Sequence, residues 1–365
     1  MPRLHLMVVS DELVFDVSAG VVELTRALCD VESVSGHEEH LADRVEATLR
    51  TAAHLEVIRD GNTVAARTNQ GAATRVIVAG HLDTVPVDHN LPSRIEGDHV
   101  VGRGSVDMKG GVASQLILAV ELDRPAMDVT WIFYDQEEIE ADKNGLGRFH
   151  THHPEWLVGD FAVLGEPSHG GVEGGCNGTI RVELRSTGLR AHSARPWMGD
   201  NAIHKLSDAL ERLSHFTPET RTVDGLDYRE SLSAVGIRGG VAGNVIPDEA
   251  VLTVNYRFAP DRSVSDAVDY VAEVFPDLEL SVVDSSEGAR PGLDSELALS
   301  LVAASGHDAR PKYGWTDVSR FSQLGIPAVN FGPGDGAFAH APNEQVPITQ
   351  LESTHQTLRD WLSQG

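Results

Sequence analysis

The stretch 76-VIVAGHLDTVPVDHN-90 decides how this chain is read. Val76, Ile77, Val78 and Ala79 form a short apolar run, with the length and branching of a strand buried on both faces. His81 and Asp83 follow at the point where that strand ends. Working outward, residues 129–134, 161–164 and 327–331 read as further short buried strands. Between the first two lies 107-DMKGGVASQLILAVEL-122, in which Val112, Leu116, Ala119 and Val120 mark one face of a helix. A second helix is expected over 37–50 from Leu41, Val45 and Leu49, with Ser35 and Glu38 as a capping box at its start. Strands alternating with helices predict an α/β fold around a mixed, mostly parallel sheet covered on both faces. Ligands of such sheets gather at the carboxyl ends of the strands.

The texture changes after 174-GGCNG-178. The segment 179-TIRVELRSTG-188 alternates like a half-buried strand, and 251-VLTVNYRF-258 does so again with Leu252, Val254, Tyr256 and Phe258 on one side. Ile203, Leu206, Leu210 and Leu213 form one helical face, and Ala267, Val268, Val271 and Val274 another. The α/β texture returns from 296-ELALSLVAAS-305 onward. The expected organisation is therefore a discontinuous catalytic domain, 1–177 with 289–365, interrupted by a compact α+β module at 178–288.

Bulk properties narrow the function. A chain of 365 residues exceeds one ordinary core, which fits two domains. Its formal net charge of -26 argues against nucleic acid and anionic membranes as partners. No apolar run reaches the roughly 20 residues needed to span a bilayer. The start, MPRLHLMVVSDELVFDVSAG, has a short apolar patch but no long apolar core or small-residue cleavage site, so a cytoplasmic location is expected. Cys29 and Cys176 are too few for a disulfide framework. An anionic substrate would meet repulsion from the whole molecule and would need local positive charge from metal ions or arginines.

The strand ends carry a repeated residue type. After the first strand come His81 and Asp83; before the covering helix comes Asp107, in GRGSVDMKGG. After the second strand come Glu137 and Glu138, in IFYDQEEIE, and after the third Glu166, in LGEPSHGG. His340 stands in GPGDGAFAHAPNE. Each has an ordinary reading by itself: a loop histidine, a helix-capping aspartate, a solvated acidic pair. His89, His99, His152 and His153 keep that ordinary reading. The conjunction is what matters, because so many carboxylates at one buried edge repel each other and take up protons unless cations lie among them. One imidazole with two or three carboxylate oxygens is ordinary zinc ligation, and a carboxylate shared by two ions holds them ~3.5–4 Å apart. His81 is thus expected to bind metal, and Asp83 to accept the hydrogen bond from its other ring nitrogen.

Taken in order, GHLDTVPV, GRGSVDMKGG, YDQEEIE, GEPS, RAHSARPWMGDNAIHKL, GNVIPDEAVLTVNYRF and AHAPNE resemble the dinuclear zinc peptidase and deacylase family that includes aminoacylase, acetylornithine deacetylase and glutamate carboxypeptidase. The resemblance covers almost the whole chain. It implies a zinc-exopeptidase-like catalytic domain with an inserted ferredoxin-like lid that usually makes a homodimer. It implies two Zn²⁺, for which Co²⁺ or Mn²⁺ could substitute. His81 and Glu166 would hold one ion, Glu138 and His340 the other, and Asp107 would bridge both. Glu137 would be the general base and Asp83 would orient His81. His192 would reach into a partner's active site, and Asn244 and Arg257 of the lid would hold substrate, with help from Thr316 and Arg320 of GWTDVSRF. The glutamate at 166 goes with deacylase and carboxypeptidase members. The segments YDQEEIEADKNGLGRF, LGEPSHGGVEGGCNGT and PKYGWTDVSRFSQLGIPAVNFGPGD most resemble actinobacterial members that remove a succinyl group from a diamino diacid. The expected partner is therefore a small acylated amino acid; the alternatives are another N-acyl amino acid, such as acetylornithine, as substrate, or a non-catalytic metal-dependent binding protein.

Overall fold

The computed structural model describes residues 14–364. The reading of the first residues as lacking an export signal concerns a segment that lies largely outside them. The chain divides into two compact units: Met1–Gly174 with Gly292–Arg310 and Arg320–Gly365, and Gly175–Pro291 with Pro311–Ser319.

The first unit is built on an eight-stranded sheet, ordered Glu56–Asp60, Thr63–Arg67, Asp128–Tyr134, Arg75–His81, Phe161–Leu164, Ala328–Phe331, Val172–Gly174 and Arg310–Pro311. The last strand is where the chain passes from one unit to the other. Parallel pairing is concentrated in the centre. Arg75–His81 runs parallel to both Asp128–Tyr134 and Phe161–Leu164, and Ala328–Phe331 is parallel to the latter. Glu56–Asp60 with Thr63–Arg67, Thr63–Arg67 with Asp128–Tyr134, and Ala328–Phe331 with Val172–Gly174 are antiparallel. Val76 through Ala79 are wholly buried, as are Phe133 and Phe161, because helices cover the central strands. The helix Gly110–Glu121 is buried along nearly its whole length, from Gly110 through Ala119. Gly111 is required there: a Cβ at this position would lie 2.2 Å from the carbonyl oxygen of Gly165, so the helix start could not approach the loop that carries Glu166.

The helix expected at 37–50 spans Glu39–Leu49 and buries Leu41, Val45 and Leu49. Its capping box does not form. Glu38 occupies the cap position with no side-chain cap bond, and its Oε1 accepts from the Gly36 amide at 2.6 Å. The Ser35 hydroxyl instead donates to Asp83 Oδ2 at 2.7 Å. The helix begins only at Glu39, so Ser35 lies three residues before the cap position and out of reach of the first helical amides.

The second unit contains a four-stranded antiparallel sheet, ordered Ser231–Gly239, Glu249–Phe258, Gly178–Thr187 and Glu279–Ser286. Ile180, Val182, Leu184, Leu252, Val254, Tyr256 and Phe258 form one buried face. The helix Val264–Val274 packs there through Ala267 and Val271. Leu206 and Ala209 complete the core from the helical segment around Ser207–Ser214, whereas Ile203 and Leu210 of the expected stripe remain partly exposed. The segment Pro311–Ser319 clusters with this unit, although its sequence sits within the returning α/β texture. Hydrogen bonds explain why. The Trp315 indole and the Ser319 hydroxyl both donate to the Glu287 carbonyl, at 3.1 and 2.6 Å, and the Lys312 carbonyl accepts from the Asn177 amide.

Candidate metal centre

Four parallel strands deliver their carboxyl ends to one edge of the first unit. In the sheet register His81 lies opposite Tyr134, and Ala79 and Asn330 each lie opposite Leu164. The loops that follow carry Asp83, Glu137 with Glu138, Glu166, and His340. Asp107 enters from the turn Ser105–Lys109 that precedes the covering helix.

Three overlapping groups of donor atoms result, each lying within 4.8 Å of one another: His81, Asp107 and Glu166; His81, Glu137 and Glu138; Asp107, Glu138 and His340. Asp107 stands between the two histidines. Its Oδ1 is 3.1 Å from His81 Nε2 and its Oδ2 is 3.4 Å from His340 Nε2. Glu138 closes on His340 Nε2 at 2.9 Å, and Glu166 approaches His81 Nε2 at 4.0 Å. His81 is wholly buried, whereas the His340 side chain is half-exposed, which opens one side of the cluster to solvent. His340 also takes a left-handed backbone conformation, φ 64°.

Asp83 is buried as expected, but its atoms are used differently. His81 Nδ1 lies 3.0 Å from the Asp83 main-chain carbonyl oxygen and 3.5 Å from the carboxylate, so the carbonyl fixes the tautomer. The carboxylate faces the next loop: Oδ1 accepts from the Glu137 amide and Oδ2 from the Glu138 amide, both at 3.0 Å. Ser35 donates to the same carboxylate. One aspartate thereby holds a histidine with its backbone and two glutamates with its side chain.

The electrostatics favour cations. Burial works to remove the proton of His81, but bonding to Asp107 and Asp83, with the Asp83 and Glu137 charges, holds its pKa well above the ordinary imidazole value. Asp107 and Glu138 raise His340 to about 10. Burial pushes Asp107 up, yet bonding to His340 and His81 carries it well below the usual carboxylate range. Burial and the Asp107 charge together push Glu138 up. Without metal, then, protons on the two imidazoles offset part of the carboxylate charge. Dications would do so and also take up the ring lone pairs, so the donor set fits two metal ions.

The sign follows. Both histidine pKa values are raised in the folded protein, so this proton-held arrangement is stable below the free-histidine pKa and is lost as pH rises through the folded value, about 10 for His340. Metal must displace those protons. Metal affinity is expected to rise with pH across 6–8, with proton release at neutral pH. Titration calorimetry in buffers of different ionisation enthalpy checks this; an enthalpy independent of buffer would contradict it.

The remaining expected site residues fall outside these three groups of donors. His192 and Asn244 come together in the second unit: His192 pairs with Val245 in a short antiparallel ribbon, and the Asn244 carbonyl accepts from the Ser193 amide at 2.8 Å. His192 Nδ1 accepts from the Ala194 amide at 3.0 Å, which places the ring proton on Nε2 as a donor. Arg257 lies on the sheet of the same unit, where its Nε donates to Asn255 Oδ1 at 3.2 Å. Thr316 is buried in that unit. Arg320 belongs to the first unit and donates to the Ala141 carbonyl at 3.0 Å, bracing the loop beyond Glu138. Two residues near the metal centre carried no signal for a role in the sequence. Ser35 is expected only as part of a capping box, and Glu344 stands in AHAPNE with no role expected of it. It is buried, with Oε1 3.2 Å from both the Val106 and Asp107 amides.

Residues 77–364 match the Peptidase family M20/M25/M40. A Mycobacterium tuberculosis protein named as a succinyl-diaminopimelate desuccinylase is 53% identical over 350 residues, covering 95% of this chain and 99% of that one. The succinyl-diaminopimelate desuccinylase of Corynebacterium glutamicum is 44% identical over 363 residues, covering 96% and 98%. In structure, a tripeptidase of Staphylococcus aureus superposes with a TM-score of 0.77 at 20% identity, over 94% of this chain and 97% of that one.

Proposed function

Since the chain belongs to peptidase family M20/M25/M40, a family of metal-dependent hydrolases, we propose that it is a succinyl-diaminopimelate desuccinylase. It would cleave N-succinyl-LL-2,6-diaminopimelate to succinate and LL-2,6-diaminopimelate in lysine and diaminopimelate synthesis. The observation that carries the chemistry is the shared carboxylate of Asp107, one oxygen toward His81 and the other toward His340. The substrate rests on the two near-full-length relatives of that name.

His81 and Glu166 would hold one ion, Glu138 and His340 the other, with Asp107 between them. Zinc suits this set of imidazole and carboxylate donors, and Co²⁺ or Mn²⁺ could substitute. When bound, the pair would lower the pKa of water and polarise the amide carbonyl. Glu137 takes the proton of the attacking water and passes it to the amine as the C–N bond breaks. Asp83 keeps Glu137 in place through the main-chain amide. The Nε2–H of His192, reaching from a second copy of the chain, would donate a hydrogen bond to the developing oxyanion. Asn244 and Arg257 hold the substrate, Arg257 supplying positive charge for a carboxylate against the acidic background. Thr316 and Arg320 are assigned supporting roles in substrate binding; for Arg320 this acts through the loop it braces.

His192→Ala is expected to lower kcat by about 10²–10³-fold, the usual cost of one oxyanion donor, while metal content stays unchanged. Equal loss of metal would make His192 a ligand and displace the scheme. A second copy of the chain pairs with it through the second unit, where Ser231–Gly239 is a sheet edge that exposes Val235 and Ile237. Sedimentation of the purified protein is expected to show a dimer, and a monomer at micromolar concentration would contradict this. Among the described residues no helix is long and apolar enough to cross a membrane; a cytoplasmic location is part of the proposal. The deciding experiment is a substrate panel with metal added and with chelator. Metal-dependent hydrolysis of N-succinyl-diaminopimelate above all others is expected. Preference for N-acetylornithine would move the assignment to a deacetylase, and metal binding without any hydrolysis would reject catalysis.

A further inference from the structure

Asp107 and His340 are 233 positions apart in sequence, and neither is held by a regular element of its own. What ties them is a buried ion pair between Arg103 and Glu344. Arg103 Nη1 donates to Glu344 Oε2 at 2.7 Å, with 4% and 1% of the side chains exposed. The other carboxylate oxygen of Glu344 accepts from the Val106 and Asp107 amides, both at 3.2 Å. The Glu344 carbonyl accepts from the Gly102 amide at 3.0 Å, and the Glu344 amide donates to the Ala341 carbonyl at 3.2 Å. On the guanidinium side, Nη2 reaches the His340 carbonyl and Nη1 the Ala341 carbonyl, each at 3.5 Å. Each member of the pair thus touches both segments: Arg103 comes from the turn that leads to Asp107, and Glu344 from the turn that leads away from His340. The next residues lock the register, as Gln345–Pro347 pairs with His99–Val101.

A buried ion pair is poor evidence of stability, because desolvation offsets much of its attraction. Its value here is geometric. A carboxylate accepting two successive amides sets the direction of the Asp107 main chain, and hence of the side chain that must present one oxygen to each histidine. We propose that Glu344 is a positioning residue that sets Asp107 and His340 for metal binding, Arg103 serving to neutralise its buried charge. The inference rests on the reading of Asp107 and His340 as ligands.

Removing one partner would leave a buried charge unpaired, so the test removes both. Arg103→Met with Glu344→Met replaces the pair by apolar groups of similar size, an exchange that folds tolerate, and deletes the acceptor for the Asp107 amide. Arg103→Met with Glu344→Gln restores a neutral acceptor oxygen at the same place. Zinc binding is measured by titration calorimetry on protein shown to be folded by circular dichroism. The Met/Met variant is expected to bind zinc 10–100-fold more weakly, the usual cost of losing groups that orient metal ligands, and the Met/Gln variant to recover most of that loss. Wild-type affinity in Met/Met overturns the proposal. So does equal weakening in both variants, or failure of both to fold, since the pair would then serve the fold and not the ligands. If the wild-type protein itself binds no zinc, the ligand reading fails first, and the two failures are told apart.

Discussion

Glu137→Gln is expected to lower kcat for N-succinyl-diaminopimelate by about 10²–10⁴-fold, the range for loss of a positioned general base, with KM and metal content near those of the unaltered protein. The isosteric amide keeps the size of the side chain but cannot take a proton from water. The local backbone should not move, because Asp83 grips the Glu137 main-chain amide and not the side chain. Steady-state kinetics with metal analysis on the same preparation checks both halves. Turnover within tenfold of wild type would place the base elsewhere. Loss of metal would make Glu137 a ligand, which its place in the group with His81 and Glu138 makes a real alternative.

The second large effect is expected at Asp107. Asp107→Ala removes the carboxylate that faces both histidines, so both metal sites should weaken together, by more than the ~10–100-fold typical of groups that only support ligands. Turnover should fall with occupancy. Glu166→Ala, which belongs only to the group with His81 and Asp107, should cost mainly one ion. Metal counting after dialysis distinguishes the two patterns. Stability carries the same signature: wild-type protein with metal at 100 times Kd should gain about 2.7 kcal/mol over the chelated form, and the Asp107 variant should show little response to chelator. A variant at Asp107 that retains both ions would refute the shared-carboxylate arrangement.

Much of the site was legible because its residues stand at strand ends. The apolar run before His81, the one before Glu137 and Glu138, and the one before Glu166 are each too short and too apolar for anything but a buried strand. Buried parallel strands deliver their ends to a common edge. The helical stripes were also sound where burial is complete, as at Leu41, Val45 and Leu49. They were less so at Ile203 and Leu210, where a small unit has little interior to offer and part of an apolar face stays exposed. The expected roles of His192 and Asn244 rest on family resemblance alone, because nothing local distinguishes them from other loop residues.

What one chain by itself determined is residue type and local period: which segments are strands, which turns carry carboxylates, and that the excess of negative charge at the strand ends calls for cations. Only the tertiary structure decided which atoms meet. It sent the Ser35 hydroxyl to Asp83 and away from a helix cap, gave His81 the carbonyl of Asp83 in place of its carboxylate, joined Pro311–Ser319 to the second unit, and buried Glu344 against the Asp107 amide. The reason is that a hydrogen bond depends on distance and direction between groups far apart in sequence, and a pattern of side-chain types along the chain specifies neither.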